Sequence, residues 1–181
     1  MWTRDRLIRH LDEGHSADFL FFWGHTQKTP DAVDKSCFSQ WFPRAFVIDD
    51  VEYKSAEHWM MAEKARLFRD EEALAGVLSC TSPAEAKAWG RAVKSFDADA
   101  WSAACSEAVV RGNVAKFSAH DDLRAFLLGT GESVIVEASP RDRIWGIGMG
   151  ASNPDARIPS RWRGKNLLGF ALMEARSRIR G

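Results

Sequence analysis

Residues 55–69 read SAEHWMMAEKARLFR, a run of strong helix formers that contains neither Gly nor Pro. Ser55 is a favourable N-cap, so we predict a helix from Ala56 to Arg69. Because an α-helix repeats every 3.6 residues, Glu57 and Lys64 return to the same face. The stretch therefore predicts a helix that carries one acid and one amine on a shared surface.

Two interpretations of this helix stay open. In one, Glu57 only interacts favourably with the helix dipole and Lys64 is a solvated surface residue. In the other, both face a site, where apolar neighbours such as Trp59 and Met60 raise the pKa of the acid and lower that of the amine. The helix N-terminus favours the ionised acid, so the direction of the net pKa shift of Glu57 stays open.

Apolar patterning and turn residues predict further elements on both sides of this helix. They are a first helix between Thr3 and Gly14, a strand from Asp18 to Trp23, a loop from His25 to Ser36, a hairpin of Ala45–Ile48 and Val51–Tyr53, helices from Ser82 to Val93, Asp99 to Phe117 and Asp121 to Leu128, a strand from Val134 to Glu137 and a closing helix from Asn166 to Ile179. Strands and helices do not alternate regularly, which indicates an α+β class: a mainly helical single domain around a few short strands.

Composition limits the classes of function. The 181 residues suit one globular domain, and 25 basic against 25 acidic residues give no net charge. No basic run is available for a nucleic-acid backbone, so any polynucleotide would be bound by a local pocket. The apolar run Phe19 to Trp23 is far shorter than the roughly 20 residues that cross a bilayer, so we expect a cytoplasmic protein without a membrane partner.

Cysteines and histidines indicate neither a disulfide framework nor a metal site. Cys37, Cys80 and Cys105 are odd in number and form no CxxC motif, and the five histidines lack HxxxH spacing. We therefore predict no metal and no cofactor. A G-x-S-x-G elbow and a P-loop are also absent from the sequence, which leaves sugar chemistry or ligand binding.

The segment from Ala138 to Lys165 is rich in Gly, Pro, Ser, Asn and Arg and is too long for an ordinary connection, so we predict a binding loop. Within it, Trp145 can stack on a nucleobase, Arg143 can pair with a phosphate and Asp142 can accept hydrogen bonds from ribose hydroxyls. Nearby glycines allow the backbone to approach a phosphate or sugar. The alternatives are a core tryptophan and a loop salt bridge between Asp142 and Arg143.

Eight segments together resemble the YbiA-like NADAR family, from about Phe19 to Arg178. They are FFWGH (21–25), CFSQWFP (37–43), VIDDVEY (47–53), SAEHWMMAEKA (55–65), AKAWGR (86–91), KFSAHDDLRAFLLGTG (116–131), VEASPRDRIWGIG (136–148) and WRGKNLLGFALMEAR (162–176). The resemblance implies a YbiA-like fold over residues 18–181, preceded by a helical extension over residues 1–17. Many relatives carry Ser-Asn-Phe where this chain has Ser39-Gln40-Trp41-Phe42.

The activity that the resemblance implies is hydrolysis of N-glycosides. Its substrates join a phosphorylated ribose or ADP-ribose to an amino group of a pyrimidine or purine, as in the ribosylamino-pyrimidine phosphates of early riboflavin biosynthesis. The alternatives are an antitoxin-like hydrolase that removes ADP-ribose from guanine in nucleic acid and a non-catalytic module that binds NAD or ADP-ribose. The partner is accordingly a ribosylated small molecule, an ADP-ribose conjugate or ADP-ribosylated guanine.

By the same resemblance, Glu57 is the leading catalytic candidate, with Lys64 and Asp142 as its companions. The expected substrate-binding residues come from the matching segments: Trp23, Gly24, Ser39, Gln40, Trp41, Phe42, Lys54, Trp89, Arg143, Trp145, Gly146, Gly148 and Asn166. These expectations require the helix that bears Glu57 to meet the loop of Asp142 and Trp145 around one sugar-sized cavity.

Overall fold

Helices surround two short pairs of strands in a computed structural model that describes residues 1–29 and 32–181. The strands are β1 (Phe19–Phe22), β2 (Phe46–Ile48), β3 (Val51–Tyr53) and β4 (Val134–Glu137). The helices are α1 (Arg4–Asp12), α2 (Ala56–Leu67), α3 (Glu71–Ser79), α4 (Pro83–Ala92), α5 (Ala98–Ser118), α6 (Asp121–Gly129) and α7 (Leu167–Arg180). Single 3-10 turns occupy Lys35–Phe38, Pro154–Arg157 and Pro159–Arg161. This arrangement confirms the predicted α+β class.

The parallel pair of β1 and β4 lies inside the helices. Phe19 is paired with Val134 and Phe22 with Glu137, and the first three residues of β4 are almost fully buried. Helix α7 packs against β4, and a Cβ atom at Gly169 would collide with the carbonyl oxygen of Ile135. The predicted strand from Asp18 to Trp23 is therefore confirmed with shorter bounds, and its last residue lies outside the pairing.

The predicted hairpin is confirmed as β2 and β3. Phe46 pairs with Tyr53 and Ile48 with Val51. Asp49 and Asp50 both have positive φ, at 51° and 61°, which is the conformation that two-residue hairpin turns require. Aspartate tolerates this region better than most residues because its short side chain can form local hydrogen bonds. The turn places β3 directly before α2.

Helix α2 begins where the sequence predicts and ends two residues earlier. Arg69 has φ of 56°, outside the helical range, and Asp70 caps the next helix by accepting a hydrogen bond from the N–H of Ala73 at 3.0 Å. The prediction missed α3, which this cap starts. Its Gly76 faces the ring of Trp89, where a Cβ atom would collide, so α3 and α4 pack closely.

The remaining predicted helices are confirmed within about one residue at each end, except for α1. Ser82 and Glu85 form the predicted capping box at the start of α4. Asp97 caps α5 through the N–H of Ala100 at 2.7 Å. Helix α5, the longest, packs along α7 and against α2 and so connects these two helices. No helix among the described residues is long and apolar enough to span a bilayer.

Helix α1 packs onto the body of the protein. Thr3 accepts a hydrogen bond from the N–H of Arg6 at 3.2 Å, and Leu7 is fully buried. Arg4 donates to the carbonyl oxygens of Pro159 and Ser160, both at 2.8 Å. The helix ends at Asp12, before the predicted stop at Gly14. A boundary between residues 17 and 18 stays a prediction.

Two long loops connect these elements. Pro30 and Asp31, within the loop predicted from His25 to Ser36, lie outside the described residues, and the 3-10 turn at Lys35 begins before that loop was expected to end. The loop predicted from Ala138 to Lys165 folds back on itself. Its backbone N–H groups at Ile147 and Arg163 donate to Glu137 and Ile147, respectively, at 2.9 and 3.0 Å. This loop reaches the end of β4, where the candidate site lies.

Candidate active site

A cavity of about 390 Å³ lies between α2, α4, the segment after the first 3-10 turn and the loop after β4. Its wall contains three carboxyl groups, three cations and several large apolar side chains. The lining residues are Ser39, Gln40, Trp41, Glu57, Met60, Met61, Lys64, Lys87, Gly90, Arg91, Phe96, Trp101, Glu137, Asp142, Ile144, Trp145 and Leu168. The helix that bears Glu57 and the loop of Asp142 and Trp145 therefore meet around one cavity.

Glu57 lies in the first turn of α2 and is only 3% exposed. Its backbone N–H donates to the carbonyl oxygen of Gln40 at 2.9 Å, which joins the start of α2 to the segment beside it. Oε1 has no hydrogen-bond partner within residues 1–29 and 32–181. Burial raises the pKa of Glu57 to about 7, against the opposing effects of the Lys87 charge and the nearby Trp41 side chain. The net pKa shift of Glu57, whose direction the sequence left open, is therefore upward.

Lys64 lies two turns farther along α2 on the same cavity wall, as the helical period predicts. Its Nζ donates to the carbonyl oxygen of Gly90 at 2.7 Å and lies 4.1 Å from the ring centroid of Phe96. Burial lowers the pKa of this amine. A partly desolvated amine loses its proton more readily than a surface lysine and is therefore a better nucleophile.

Asp142 organises the start of the loop after β4. Its Oδ1 accepts hydrogen bonds from the N–H groups of Ile144 and Trp145, both at 2.8 Å. The N–H of Asp142 itself donates to Oγ of Ser139 at 3.3 Å. Asp142 and Arg143 form no salt bridge in the described part of the chain. The turn holds the half-buried ring of Trp145 in the cavity wall.

The segment that carries Gln40 and Trp41 is held by a buried lysine of α5. Lys116 is fully buried, and its Nζ donates to the carbonyl oxygens of Cys37 and Ser39 at 2.6 and 3.1 Å. These bonds fix the backbone immediately before Gln40 and Trp41. Burial lowers the pKa of Lys116 to about 8, although the Cys37 thiolate would favour the charged form.

Glu137 and two cations of α4 line the cavity although sequence reasoning did not select them. Lys87 and Arg91 are four residues apart and lie on one helix face, and this spacing alone is a usable signal. Glu137 ends β4, and burial raises its pKa to about 8, with the charge of Asp142 acting in the same direction and that of Lys87 against it. A single acid at the end of a strand carries no comparable sequence signal.

A larger cavity of about 750 Å³ lies between the hairpin, α2 and α5. Its cations are paired with its acids: Arg66 contacts Glu63 at 2.8 Å and Arg111 contacts Asp49 at 2.7 Å. The smaller cavity instead contains buried carboxyl oxygens that lack partners among the described residues. We therefore place the candidate active site in the smaller cavity, which shares Trp101 with the larger one.

Comparison with known proteins gives a family match over most of the chain. The NADAR domain matches residues 21–180. The chain belongs to the NADAR family. The match includes the segments that form the cavity, so we refer to the smaller cavity as the NADAR cavity.

NADAR relatives with similar sequences have been named as enzymes. A protein of Acanthamoeba polyphaga mimivirus named N-glycosidase is 43% identical over 163 residues, covering 87% of this chain and 94% of that protein. A Nostoc punctiforme protein also named N-glycosidase is 31% identical over 144 residues, covering 80% and 85%. N-glycosidase YbiA of Escherichia coli is 30% identical over 179 residues, covering 99% and 98%.

The NADAR fold is also seen in a solved structure. The NMR structure of the E. coli protein YbiA is similar with a TM-score of 0.70 and 26% sequence identity, covering 92% of this chain and 88% of that chain. This likeness agrees with the mainly helical architecture around short strands that the sequence predicts.

Four of the residues expected to bind substrate in the segments before α4 lie away from the NADAR cavity wall. Trp23 is 67% exposed beyond the end of β1, and Gly24 follows it with φ of 85°. Phe42 is buried in the apolar core. Lys54 donates through Nζ to the carbonyl oxygen of Cys80 at 2.6 Å. Ser39, Gln40 and Trp41 do line the cavity.

Of the remaining residues expected to bind substrate, Trp145 lines the NADAR cavity and the others lie outside its wall. Trp89 packs against Gly76 instead of facing the cavity, and the side chain of Arg143 is exposed. A Cβ atom at Gly146 would lie 2.8 Å from the carbonyl oxygen of Glu137, so this glycine permits close backbone packing. Gly148 is buried with φ of 68°. The two glycines therefore shape the loop from outside the cavity wall.

Asn166 is fully buried at the start of α7 and contacts β4 instead of the NADAR cavity. Its Oδ1 and Nδ2 bond the backbone of Glu137 and Ile135. Both polar atoms of the side chain are therefore occupied within the protein. Over the described ranges, no cluster of three or more His, Cys, Asp or Glu side chains is arranged to hold a metal ion.

Proposed function

We propose that this protein is an N-glycosidase, a hydrolase that cleaves the C1′–N bond between a phosphorylated ribose or ADP-ribose and an amino group of a base. The relatives named N-glycosidase support the reaction class. The observation that carries the proposal is the buried, unpartnered Oε1 of Glu57 in a cavity that also contains Asp142 and Trp145.

The reaction explains why such a cavity needs carboxyl groups. Cleavage of a ribosyl C1′–N bond passes through an oxocarbenium-like state, which requires negative charge near C1′, a proton for the leaving amine and a positioned water. In our proposal, Glu57 performs the proton transfers around C1′ and Asp142 holds the ribose hydroxyls. Its pKa of about 7 suits Glu57 to exchange protons near neutral pH.

The apolar and cationic parts of the wall have separate roles in this proposal. Trp145 and Trp41, which both line the cavity, offer faces on which a base or sugar can stack. Lys87 and Arg91 offer positive charge for a phosphate. Lys64 either stabilises a ring-opened sugar, as a Schiff base with its aldehyde, or positions the acid.

The substrate follows from a direct comparison of two candidates. Purified protein is incubated separately with a ribosylamino-pyrimidine phosphate, the intermediate type of early riboflavin biosynthesis, and with ADP-ribosylated guanosine. Chromatography then measures the released base. We expect release from at least one of them, and the faster reaction identifies the substrate class. Tight binding of ADP-ribose without release from either compound would instead indicate a non-catalytic binding module.

A further inference from the structure

The backbone of Glu137 is held on three sides at the end of β4. Its N–H donates to Oδ1 of Asn166 at 2.9 Å, and its carbonyl oxygen accepts from the N–H of Ile147 at 2.9 Å. The next N–H, that of Ala138, donates to Phe22 at 2.8 Å. The position of the Glu137 side chain is therefore set by rigid neighbours from β1, α7 and the loop.

The side chain of Glu137 is less fully hydrogen-bonded than its backbone. It lines the NADAR cavity, yet its Oε2 is buried and has no hydrogen-bond partner in the described chain. A buried polar atom without a partner destabilises a fold, and such atoms are rare in native proteins. An acid that served only the fold would have a donor for this oxygen. The carboxyl group is instead free to bond a molecule in the cavity.

Charged groups face Glu137 from α2, α4 and the loop. They are Glu57 and Lys64 of α2, Lys87 and Arg91 of α4, and Asp142. Burial is the largest cause that opposes ionisation of Glu137; the charges of Asp142 and Glu57 act in the same direction and that of Lys87 acts against them. Burial raises the pKa of both carboxyl groups, to about 8 for Glu137 and to about 7 for Glu57, so near neutral pH one of the two can hold a proton while the other is ionised.

We propose that Glu137 is a second catalytic carboxyl group of the NADAR cavity, which donates a proton to the leaving nitrogen while the Glu57 carboxylate accepts a proton from the attacking water. This inference rests on the proposed N-glycosidase function and divides its proton transfers between two residues. Glu137 is not among the catalytic or substrate-binding residues predicted from the sequence.

The transfers balance. As the C1′–N bond breaks, its electron pair goes to the nitrogen, which takes the proton of Glu137 and leaves as the free amine. A water oxygen forms the new bond to C1′ and releases one proton to Glu57. The cavity then holds a protonated Glu57 and an ionised Glu137, and exchange of one proton through solvent restores the starting state.

Leaving-group basicity separates this role from a structural one. Wild type and Glu137→Gln are assayed on ribosyl phosphate N-glycosides whose leaving amines differ in basicity. We expect kcat of the variant to fall by about 10²–10⁴-fold on the most basic leaving amine, the range typical of a lost general acid, and much less on the least basic. The fall in rate at alkaline pH that we expect for wild type should also be absent from the pH–rate profile of Glu137→Gln. Glu132→Gln, at an exposed acid paired with Arg180, is the matched control and should keep the wild-type rate.

Three results overturn the inference. One is an equal loss of rate across the whole series, and another is an unchanged rate in a Glu137→Gln protein that is folded by circular dichroism. The third is an infrared spectrum at pH 7 in which the wild type shows no protonated carboxyl band that the variant lacks. A wild type that cleaves no N-glycoside at all would contradict the proposed function itself. An active wild type with any of the three results above would contradict only the role of Glu137.

Discussion

Asn166 accepts, through Oδ1, a hydrogen bond from the backbone N–H of Glu137, and donates from Nδ2 to the carbonyl oxygen of Ile135 at 3.0 Å. The side-chain amide thus forms hydrogen bonds with the backbone of β4, as the backbone of a neighbouring strand would. Asn166 has φ of 56°, in the left-handed region that asparagine tolerates better than most residues. One side chain therefore joins the start of α7 to the strand that carries a cavity carboxyl group.

Asn166→Ala should reduce stability more than substrate affinity. The substitution leaves two backbone groups of β4 unpaired in the interior, so we expect the free energy of unfolding to fall by about 2–6 kcal/mol, because each unsatisfied buried group costs roughly 1–3 kcal/mol. Urea denaturation measures this loss, with Asn153→Ala as the control at a loop asparagine. A raised KM with unchanged stability would instead support the original expectation that Asn166 binds substrate.

Glu57→Gln should abolish most turnover while the protein stays folded. The amide is nearly isosteric but cannot exchange the proton, so we expect kcat to fall by about 10²–10⁴-fold. The release of free base measures the rate, and Glu63→Gln on the same helix is the control, since Glu63 lines the larger cavity and pairs with Arg66. Full activity in Glu57→Gln would remove this residue from the mechanism.

Lys64 can be tested by chemical trapping. If its amine forms a Schiff base with a ring-opened sugar, borohydride added during turnover should give a covalent adduct in wild type and none in Lys64→Ala. Mass spectrometry of the digested protein locates the adduct. Lys94→Ala, at an exposed lysine paired with Glu72, should be trapped as wild type is. Absence of an adduct, with most of the rate kept in Lys64→Ala, would leave Lys64 without a covalent role.

Lys116 predicts a specific pH dependence of stability. Its pKa in the folded protein is lowered to about 8, below the usual 10.5, so between these values the unfolded chain binds more protons than the folded one. Between these two pKa values, the contribution of Lys116 to the free energy of unfolding should therefore rise with pH. We expect a rise of about 1–3 kcal/mol, because one pKa unit corresponds to about 1.4 kcal/mol.

Comparison with Lys116→Met isolates this contribution. Urea denaturation of both proteins is measured between roughly pH 7 and 10. The free energy of unfolding should rise with pH in wild type relative to Lys116→Met. The variant should also be less stable at every pH, since the carbonyl oxygens of Cys37 and Ser39 lose their donor. Exposed Lys28→Met should follow wild type. Parallel curves for wild type and Lys116→Met would contradict the lowered pKa.

Local sequence signals predicted most of the secondary structure because the caps and turns are local. The capping box at Ser82 and the hairpin turn at Asp49 need only neighbouring residues, and both were predicted correctly. Helix α3 escaped prediction because it is short and contains Gly76, which usually weakens a helix. The reason for that glycine is the ring of Trp89, a tertiary contact that no local pattern contains.

The candidate site was predictable where a periodic helix or a loop of distinctive composition carries it. Helical spacing placed Glu57 and Lys64 on one face, and the loop composition pointed to Asp142 and Trp145. Trp89 lies on the face of α4 that packs against Gly76 of α3, whereas Lys87 of the same segment lines the cavity. Glu137 could not be found in this way because its burial depends on elements distant in the chain.

The parallel pairing of the first and last strands has a consequence for biosynthesis. The apolar FLFF strand of residues 19–22 leaves the ribosome long before its partner at residues 134–137, and the closure of so large a loop is entropically unfavourable and slow. Until then its edge and aromatic side chains stay open to other nascent chains. Aggregation and chaperone dependence should therefore concentrate on chains whose translation stops before residue 134, and the finished protein should be far less prone to both.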